Sequence, residues 1–243
     1  MTESRLDMSI DTVVVPAAAG AVTRCETTLL PVQRDALAGV LSVAKLADRV
    51  RPVLRSVRVE YGHVFDPATG RRDATGWSFT ATDSYMLAHV IIPDDSADTS
   101  VDLAANIPAD LFPKLGISSR TDSAVRFSVD MVSATFERVP TGSVARFGIG
   151  HGVHEAALSD TGSYPAHGGL WPTGDDVGQL EPTAYGASKG ADFFGMFAKA
   201  GRNRQDPVRS VSVRTLKPSV WVMGPDSDVC RVWGLLMPVR VPS

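Results

Sequence analysis

The chain has 243 residues, 44% of them apolar and 21% charged, a composition typical of a globular protein with one large domain or two small ones. Its two cysteines, Cys25 and Cys230, lie too far apart in sequence to indicate a disulfide framework, so a reducing cytoplasm is expected. A membrane helix is excluded because no segment approaches roughly 18 consecutive apolar residues. The net charge of −3 argues against a protein that coats nucleic acid with one large basic face, although a few cations concentrated on an inner surface remain compatible with it.

Residues 1–23 lack the basic start and apolar core of a signal peptide, and we expect them to form a loosely attached arm. From Leu30 the pattern becomes helical. Pro31 suits the first turn of a helix, and Pro52 follows its expected end. The apolar stripe of this predicted helix consists of Leu37, Val40, Leu41, Ala44 and Leu46.

Three strands are predicted after this helix, at 57–61, 77–81 and 87–92, because the first two segments alternate in polarity and the third is continuously apolar. The polar stretch 62–76 between the first two predicts a long hairpin loop. The same plan then recurs twice. The second unit is predicted to have a strand at 101–105, a helix at 107–116 and strands at 125–129, 132–136 and 144–150. The third is predicted to have a strand at 182–188, a helix at 189–201 and strands at 208–214, 219–223 and 229–237. Three β-α-β-β-β units predict an α+β protein.

Six short segments carry a more specific signal. They are PVLRSVRVE at 52–60, ATDSYMLA at 81–88, NIPADLF at 106–112, GSYPAHGGLWP at 162–172, KPSVWV at 217–222 and LLMPVR at 235–240. In order and spacing they resemble the β subunit of bacterial DNA polymerase III, the DNA sliding clamp. The resemblance is to the second domain and a shortened third domain, and the first has no counterpart. It implies the DNA-clamp fold, with antiparallel sheets outside and helices on the inner face. The expected organisation is an arm at 1–23, a clamp domain of two units at 24–165 and a shortened clamp domain of one unit at 166–243.

A sliding clamp is not an enzyme and needs no cofactor. The resemblance implies a closed ring, with a homotrimer favoured, that surrounds double-stranded DNA without reading its sequence. Scattered Lys and Arg on the inner helices would contact the phosphates weakly enough for the duplex to slide. The candidate DNA-binding residues are Arg34, Lys45, Arg49, Arg51, Lys114, Arg120, Lys189, Lys199, Arg202 and Arg204. The alternative for each is a solvated surface cation, or for the last three a complement to a helix dipole.

The resemblance also implies an apolar pocket that accepts short peptides from the replicative polymerase and the clamp loader. The motifs place in it Leu54, Thr82, Ser84, Tyr85, Met86, Leu87, Pro165, Gly169, Leu170, Pro218, Leu235 and Met237. Met86 stands where the family has a cation, and Gly168 and Gly169 stand where it often has basic residues, so a more apolar pocket is expected. The alternative for these residues is core packing, and Asp83 is interpreted as a turn-former.

The sequence admits two other functions. A clamp-derived module could bind such peptides as a decoy or recruiter without encircling DNA. A β-rich metalloenzyme could use His151, His154 and Asp160, with His167 nearby, but their spacing matches no zinc-hydrolase pattern, so no metal is expected.

Overall fold

The computed structural model describes residues 13–15, 24–101, 103–110, 112, 124–129, 133–139, 153–157, 163–171, 208–211, 219–223 and 229–237. The strands are β1 (Val13–Val15), β2 (Arg24–Leu29), β3 (Ser56–Asp66), β4 (Arg71–Thr82), β5 (Met86–Pro93), β6 (Leu103–Pro108), β7 (Ala124–Val129), β8 (Ser133–Val139), β9 (Val153–Ala157), β10 (Val208–Val211), β11 (Ser219–Met223) and β12 (Arg231–Leu236). The helices are α1 (Pro31–Leu46) and the 3₁₀ turns η1 (Pro52–Arg55) and η2 (Gly168–Leu170).

The strands form two antiparallel sheets. The first has five strands in the order β1-β2-β7-β8-β9, and the second has seven in the order β10-β11-β12-β5-β4-β3-β6. Helix α1 packs against β3, β4 and β5 of the seven-stranded sheet. The predicted α+β class with antiparallel sheets is therefore confirmed. None of the helices in the described part of the chain is long and apolar enough to cross a membrane.

The main core lies among α1 and the facing sides of both sheets. Leu37, Val40, Leu41 and Ala44 of the predicted stripe are buried there, as expected from their helical spacing. The sheets meet through aromatic side chains, with the rings of Trp77 in β4 and Phe127 in β7 centred 5.4 Å apart. Leu46, the last member of the stripe, is 41% exposed because the helix ends at this residue.

The seven-stranded sheet joins segments that are distant in sequence. Strand β12 pairs with β5, so that Leu235 lies opposite Leu87 and Leu236 opposite Met86. Side chains alternate between the two faces of a strand. Met86 accordingly belongs to the main core, whereas Leu87 belongs to a second cluster on the outer face of the sheet.

The prediction of a long loop at 62–76 is wrong. Strand β3 continues to Asp66 and β4 begins at Arg71, so a tight turn joins them, with Gly70 N–H donating to the Asp66 carbonyl at 2.8 Å. The polar residues of this stretch pair across the hairpin, for example His63 with Thr75. Their polarity reflects solvent exposure at the end of the hairpin rather than irregular backbone.

Other predicted elements differ at their ends or fall elsewhere. The strand predicted at 101–105 runs to Pro108, and Ile107 pairs with Val57, so the first two residues of the helix predicted at 107–116 are strand instead. The strand predicted at 144–150, the strand at 182–188 and the helix at 189–201 lie outside the described residues. Strand β1 shows that part of the N-terminal arm pairs with β2.

Candidate functional site

Three separate segments meet on the outer face of the seven-stranded sheet. They are the start of β5 with the turn before it, the end of β12, and the linker at 163–171. Leu87 and Leu235 are paired, and the Met237 N–H donates to the Tyr85 carbonyl at 2.8 Å. Together with Phe65 of β3, their buried apolar side chains form a cluster, called here the outer cluster. It consists of Phe65, Leu87, Trp171, Trp233 and Leu235.

Exposed apolar side chains adjoin the outer cluster. Tyr85 is 58% exposed, Leu170 47% and Met237 40%. Tyr85 and Met237 are joined through their backbones, and Leu170 directly precedes the buried Trp171. We call these three residues and the outer cluster beneath them the apolar surface. Large exposed apolar side chains that lie together typically mark an interaction site.

A hydrogen-bonded turn holds Tyr85 in this exposed position. The Asp83 carboxylate accepts bonds from the backbone N–H of Tyr85 at 2.9 Å and of Met86 at 2.7 Å, which confirms Asp83 as a turn-former. Ser84 takes the left-handed conformation at φ 81°, and Thr82 Oγ1 donates to the Met86 carbonyl at 2.7 Å. Arg51 Nη1 donates to Ser84 Oγ at 3.1 Å and ties the turn to the segment after α1.

The linker is fastened to the sheet by polar and aromatic contacts. The Tyr164 hydroxyl donates to the Thr80 carbonyl at 3.2 Å. The ring of Phe65 lies 6.0 Å from that of His167 and 6.4 Å from that of Trp171, measured between centres. These contacts position Leu170 beside the outer cluster.

A buried histidine supports the linker from below. His89 Nε2 lies 2.9 Å from the Phe65 carbonyl, which can only accept, so Nε2 carries the proton and Nδ1 accepts from the Thr80 hydroxyl at 2.8 Å. Burial, aided by the neighbouring His167, lowers the pKa of His89 to about 3. Burial also lowers the pKa of His167. His89 is therefore a neutral structural residue at physiological pH.

The structure brings together five of the residues assigned to the peptide pocket: Tyr85, Leu87, Leu170, Leu235 and Met237. Thr82 and Ser84 shape the turn instead of offering apolar area. Pro165 and Gly169 are exposed on the linker. Pro218 lies outside the described residues.

Two assigned pocket residues are placed elsewhere. Met86 is 1% exposed and packs in the main core, since its position on β5 points it to the face opposite Leu87. Leu54 is 2% exposed within η1. For both, core packing is the better interpretation, and Met86 does not make the surface more apolar.

Sequence reasoning missed Phe65, Trp171 and Trp233, which form most of the buried base of the apolar surface. The sequence pattern could have identified Trp233, because this residue lies two positions before Leu235 and therefore on the same face of β12. Phe65 was hidden inside the stretch interpreted as a loop.

The candidate DNA-binding residues divide into three groups. Lys45, Arg49 and Arg51 are exposed at or just after the end of α1. Arg34 is only 1% exposed, so its guanidinium does not reach a phosphate at the surface of this chain, and it is not among the DNA contacts of the folded protein. The remaining candidates, which lie outside the described residues, are Lys114, Arg120, Lys189, Lys199, Arg202 and Arg204.

Within the part of the chain that the structure describes, no group of three or more His, Cys, Asp or Glu residues is placed to hold a metal ion. His154 belongs to β9, while His151 and Asp160 lie outside the described residues.

No protein-family model and no curated protein matches the sequence. Solved structures are similar to it. A DNA polymerase sliding clamp from Bacillus subtilis matches with a TM-score of 0.58 at 13% identity, over 94% of this chain and 67% of that one. A DnaN sliding clamp from Pseudomonas aeruginosa, bound to griselimycin, matches with a TM-score of 0.59 at 12% identity, over 93% and 68%. A structure of A. fulgidus PCNA with the C-terminal region of FEN-1 gives 0.54 at 14% identity, over 90% and 99%. The chain therefore has the sliding-clamp fold, which confirms the resemblance found in the sequence, and it spans about two thirds of the bacterial clamps.

Proposed function

We propose that this chain is a DNA sliding clamp, a processivity factor that encircles duplex DNA and tethers a replicative polymerase through the apolar surface. The observation that supports this most directly is that Leu87, Leu235 and Trp171, from three segments distant in sequence, share the outer cluster. The exposed residues Tyr85, Met237 and Leu170 lie within two positions of them in the chain. The sequence motifs had assigned these three residues to a peptide pocket, and they come from three distant segments.

The apolar surface has the composition of a peptide-docking site. Aromatic side chains at its base are packed and buried, with the Trp171 and Trp233 rings 6.3 Å apart at an interplanar angle of 85°. Exposed apolar side chains adjoin that base and would be covered by a partner. Binding energy at such sites is concentrated in a few apolar anchors that fill a preformed hydrophobic groove.

Griselimycin is the probe for this surface, since a solved clamp with the same fold binds it. We expect the wild-type chain to bind griselimycin, with a change in tryptophan fluorescence because Trp171 and Trp233 lie beneath the surface. Leu170→Ala should weaken binding about tenfold, which corresponds to the loss of one apolar anchor.

Leu46→Ala is the matched control for this experiment. Leu46 is 41% exposed, close to the 47% of Leu170, but it lies at the end of α1, which packs on the opposite face of the sheet. Its replacement should change the affinity for griselimycin by less than about twofold, as expected for a residue outside the binding surface. Failure of the wild-type chain to bind, or equal effects of the two substitutions, would remove the proposed surface.

We propose that the chain assembles as a closed homotrimer around DNA in the cytoplasm. Each chain would consist of an arm at 1–23, a clamp domain at 24–165 and a shortened clamp domain at 166–243. The chain covers 99% of the matched PCNA chain, and two-domain clamps of this kind are expected to assemble as trimers. Lys45, Arg49 and Arg51 are exposed and, with the cations outside the described residues, would supply the phosphate contacts. The polymerase and clamp loader would compete for the apolar surface through short peptide motifs.

A second candidate is a peptide-binding module that does not encircle DNA. It is favoured by one observation: the described residues include the apolar surface, whereas Arg34, one of the four proposed DNA contacts among them, is buried. Retention on nicked circular DNA separates the candidates. A ring loaded on the circle should be lost when the circle is linearised, whereas a peptide-binding module should show no retention on either form.

A further inference from the structure

A cavity lined by charged side chains adjoins the apolar surface. Its volume is about 250 Å³, and it lies between the linker and the outer face of β3 and β4. Its walls consist of Arg58, Glu60, Phe65, Arg72 and linker residues 164–168. The apolar surface is built from hydrophobic side chains, whereas this cavity presents charged ones, and the function proposed above does not use them.

The charges in the cavity are fixed in place and leave a positive excess. The Glu60 side chain is 8% exposed and lies 3.6 Å from Arg58 Nε and 3.3 Å from Arg72 Nη1. Arg72 Nη2 also donates to the His63 carbonyl at 2.7 Å. Two guanidinium groups around one carboxylate give a formal charge of +1. Because Glu60 holds both arginines, an arriving anion meets donors that are already oriented.

His167 adds a buried polar atom to the same wall. Its Nε2 is inaccessible to solvent and has no hydrogen-bond partner among the described residues. The anion preference of the cavity therefore comes from the guanidinium groups of Arg58 and Arg72 and not from His167.

The cavity and the apolar surface share a wall. Phe65 lines the cavity and is also a member of the outer cluster. The linker passes from the cavity at Tyr164–Gly168 directly to Leu170 and Trp171. His167 and Trp171 each lie about 6 Å from Phe65, so their ring centres are at most about twice that distance apart. At roughly 3.3 Å per residue, three or four residues of extended peptide cover such a span.

We propose that this cavity binds the carboxylate of an Asp or Glu in the same partner peptide that docks on the apolar surface, three or four residues from the apolar anchors. This inference rests on the proposed peptide-docking function and narrows the partner to an acidic-apolar motif. Arg58 and Arg72 act as the specificity-determining residues, and Glu60 positions them and limits their charge.

The test uses fluorescence anisotropy with fluorescein-labelled peptides that carry a Leu-Phe pair and, three residues away, either Asp or Asn. A second pair of peptides has the opposite order, so that both chain directions are sampled. The Asp peptide of one pair should bind the wild-type chain about three- to fivefold more tightly than its Asn counterpart, the scale of a partly exposed ion pair. The preference should shrink as salt is added.

Two substitutions, one that removes a positive charge and one that removes a negative charge, make this test specific. Arg72→Gln should abolish the preference for Asp, whereas Glu60→Gln should enlarge it because it removes the competing carboxylate. Arg71→Gln is the matched control: Arg71 is the exposed neighbour of Arg72 but does not line the cavity, so the preference should remain. The circular dichroism and urea midpoint of each variant verify that it is folded. Arg72 is 44% exposed, so its replacement is compatible with folding.

The outcomes separate this inference from the proposed function. Equal affinity of wild type for the Asp and Asn peptides, or an unchanged preference in folded Arg72→Gln, overturns the carboxylate site. If both peptides still bind in a manner that depends on Leu170, the apolar surface stands. If no peptide binds while griselimycin does, the acidic-apolar motif is overturned and the surface again stands. Failure of griselimycin and peptides alike overturns both.

Discussion

His89 is a titratable group placed where it must stay neutral. It lies beneath the linker, completely buried, and both of its ring nitrogens are hydrogen-bonded. Protonation would replace the acceptor at Nδ1 with a donor facing Thr80 and would place a charge in an apolar environment. The stability of the apolar surface is therefore coupled to pH through this residue.

The sign of that coupling depends on two pKa values. The unfolded histidine titrates near 6.5, whereas burial lowers the pKa of His89 in the folded protein to about 3. Between these values the unfolded chain binds more protons, so the free energy of unfolding falls as the pH drops below about 6.5. Between pH 7 and pH 5 we expect His89 to account for a loss of about 2 kcal/mol.

Urea unfolding of His89→Gln at the two pH values measures this contribution. The glutamine retains a donor toward the Phe65 carbonyl but does not titrate, so the pH-dependent loss should shrink by about 2 kcal/mol. His63→Gln is the control, because His63 is exposed on β3 and its replacement should leave the loss as in wild type. An identical loss in wild type and His89→Gln would show that His89 does not couple stability to pH.

Part of the apolar surface could be predicted from single residues. The motifs led to Tyr85, Leu87 and Leu235, which the structure places at this surface, and Asp83 was predicted as a turn-former because its side chain suits a turn. Met86 was assigned to the wrong face, since the continuous apolar run 87–92 gives no alternation from which to read its orientation. Trp171 was missed because its burial depends on β12, which is distant in sequence.

The start of α1 is linked to the C-terminal part of the chain by one side chain. Gln33 is fully buried; its Oε1 accepts from the Leu30 N–H at 2.7 Å, and its Nε2 donates to the Val229 carbonyl at 3.1 Å. It satisfies a free N–H at the helix start and fixes the segment that leads into β12. This contact connects the helix to the strand that completes the apolar surface.

Gln33→Ala should lower the free energy of unfolding by about 2–3 kcal/mol, because it leaves two buried backbone groups without their partner and creates a small cavity. Urea denaturation at neutral pH measures the change. Ser42→Ala on the same helix serves for comparison, since its partly buried hydroxyl donates to the Gly39 carbonyl, one turn away, at 2.7 Å. It should cost less than about 0.5 kcal/mol. Similar costs for the two substitutions would show that the link to Val229 contributes nothing.

Among the elements, those with clear periodicity were predicted best. Helix α1, β5 and β11 lie where the pattern placed them. The β3–β4 hairpin was underestimated because its distal half is polar on β4, and on β3 the adjacent apolar residues Val64 and Phe65 follow Gly62 and His63, so no alternation of hydrophobicity marks it. Gly76 adds to the difficulty: it adopts φ 126° inside β4, where a Cβ would lie 2.4 Å from the Ile92 carbonyl oxygen, although glycine in sequence normally suggests a turn.

For the whole molecule, closure of a three-membered ring demands a head-to-tail arrangement of identical chains, in which two different surface patches of each chain meet. In the described part of the chain the edge strands are β1 and β9 in one sheet and β6 and β10 in the other. Edge strands offer unpaired backbone groups that can pair with a strand of a neighbouring chain. No local pattern in the sequence encodes which edge strand of one chain pairs with which edge strand of the next, because that depends on the complete surfaces of both.

Light scattering during gel filtration should therefore give three times the chain mass of 25.8 kDa at micromolar concentration. The mass should stay constant on dilution until the ring dissociates as a whole, as expected for closed symmetry. A strictly monomeric chain would contradict the ring and favour the peptide-binding module. An indefinite series of larger species would indicate open, non-closing contacts.

The pairing of β12 with β5 also has a consequence for biosynthesis. During translation β5 emerges long before Trp233, Leu235 and Met237. Its edge therefore stays unpaired, and half of the apolar surface is missing, until β12 has been synthesised. Such a long-range pairing closes slowly, because much chain must be ordered before it forms. A chain that lacks β12 therefore lacks half of the apolar surface, and the peptide binding proposed for that surface requires both strands.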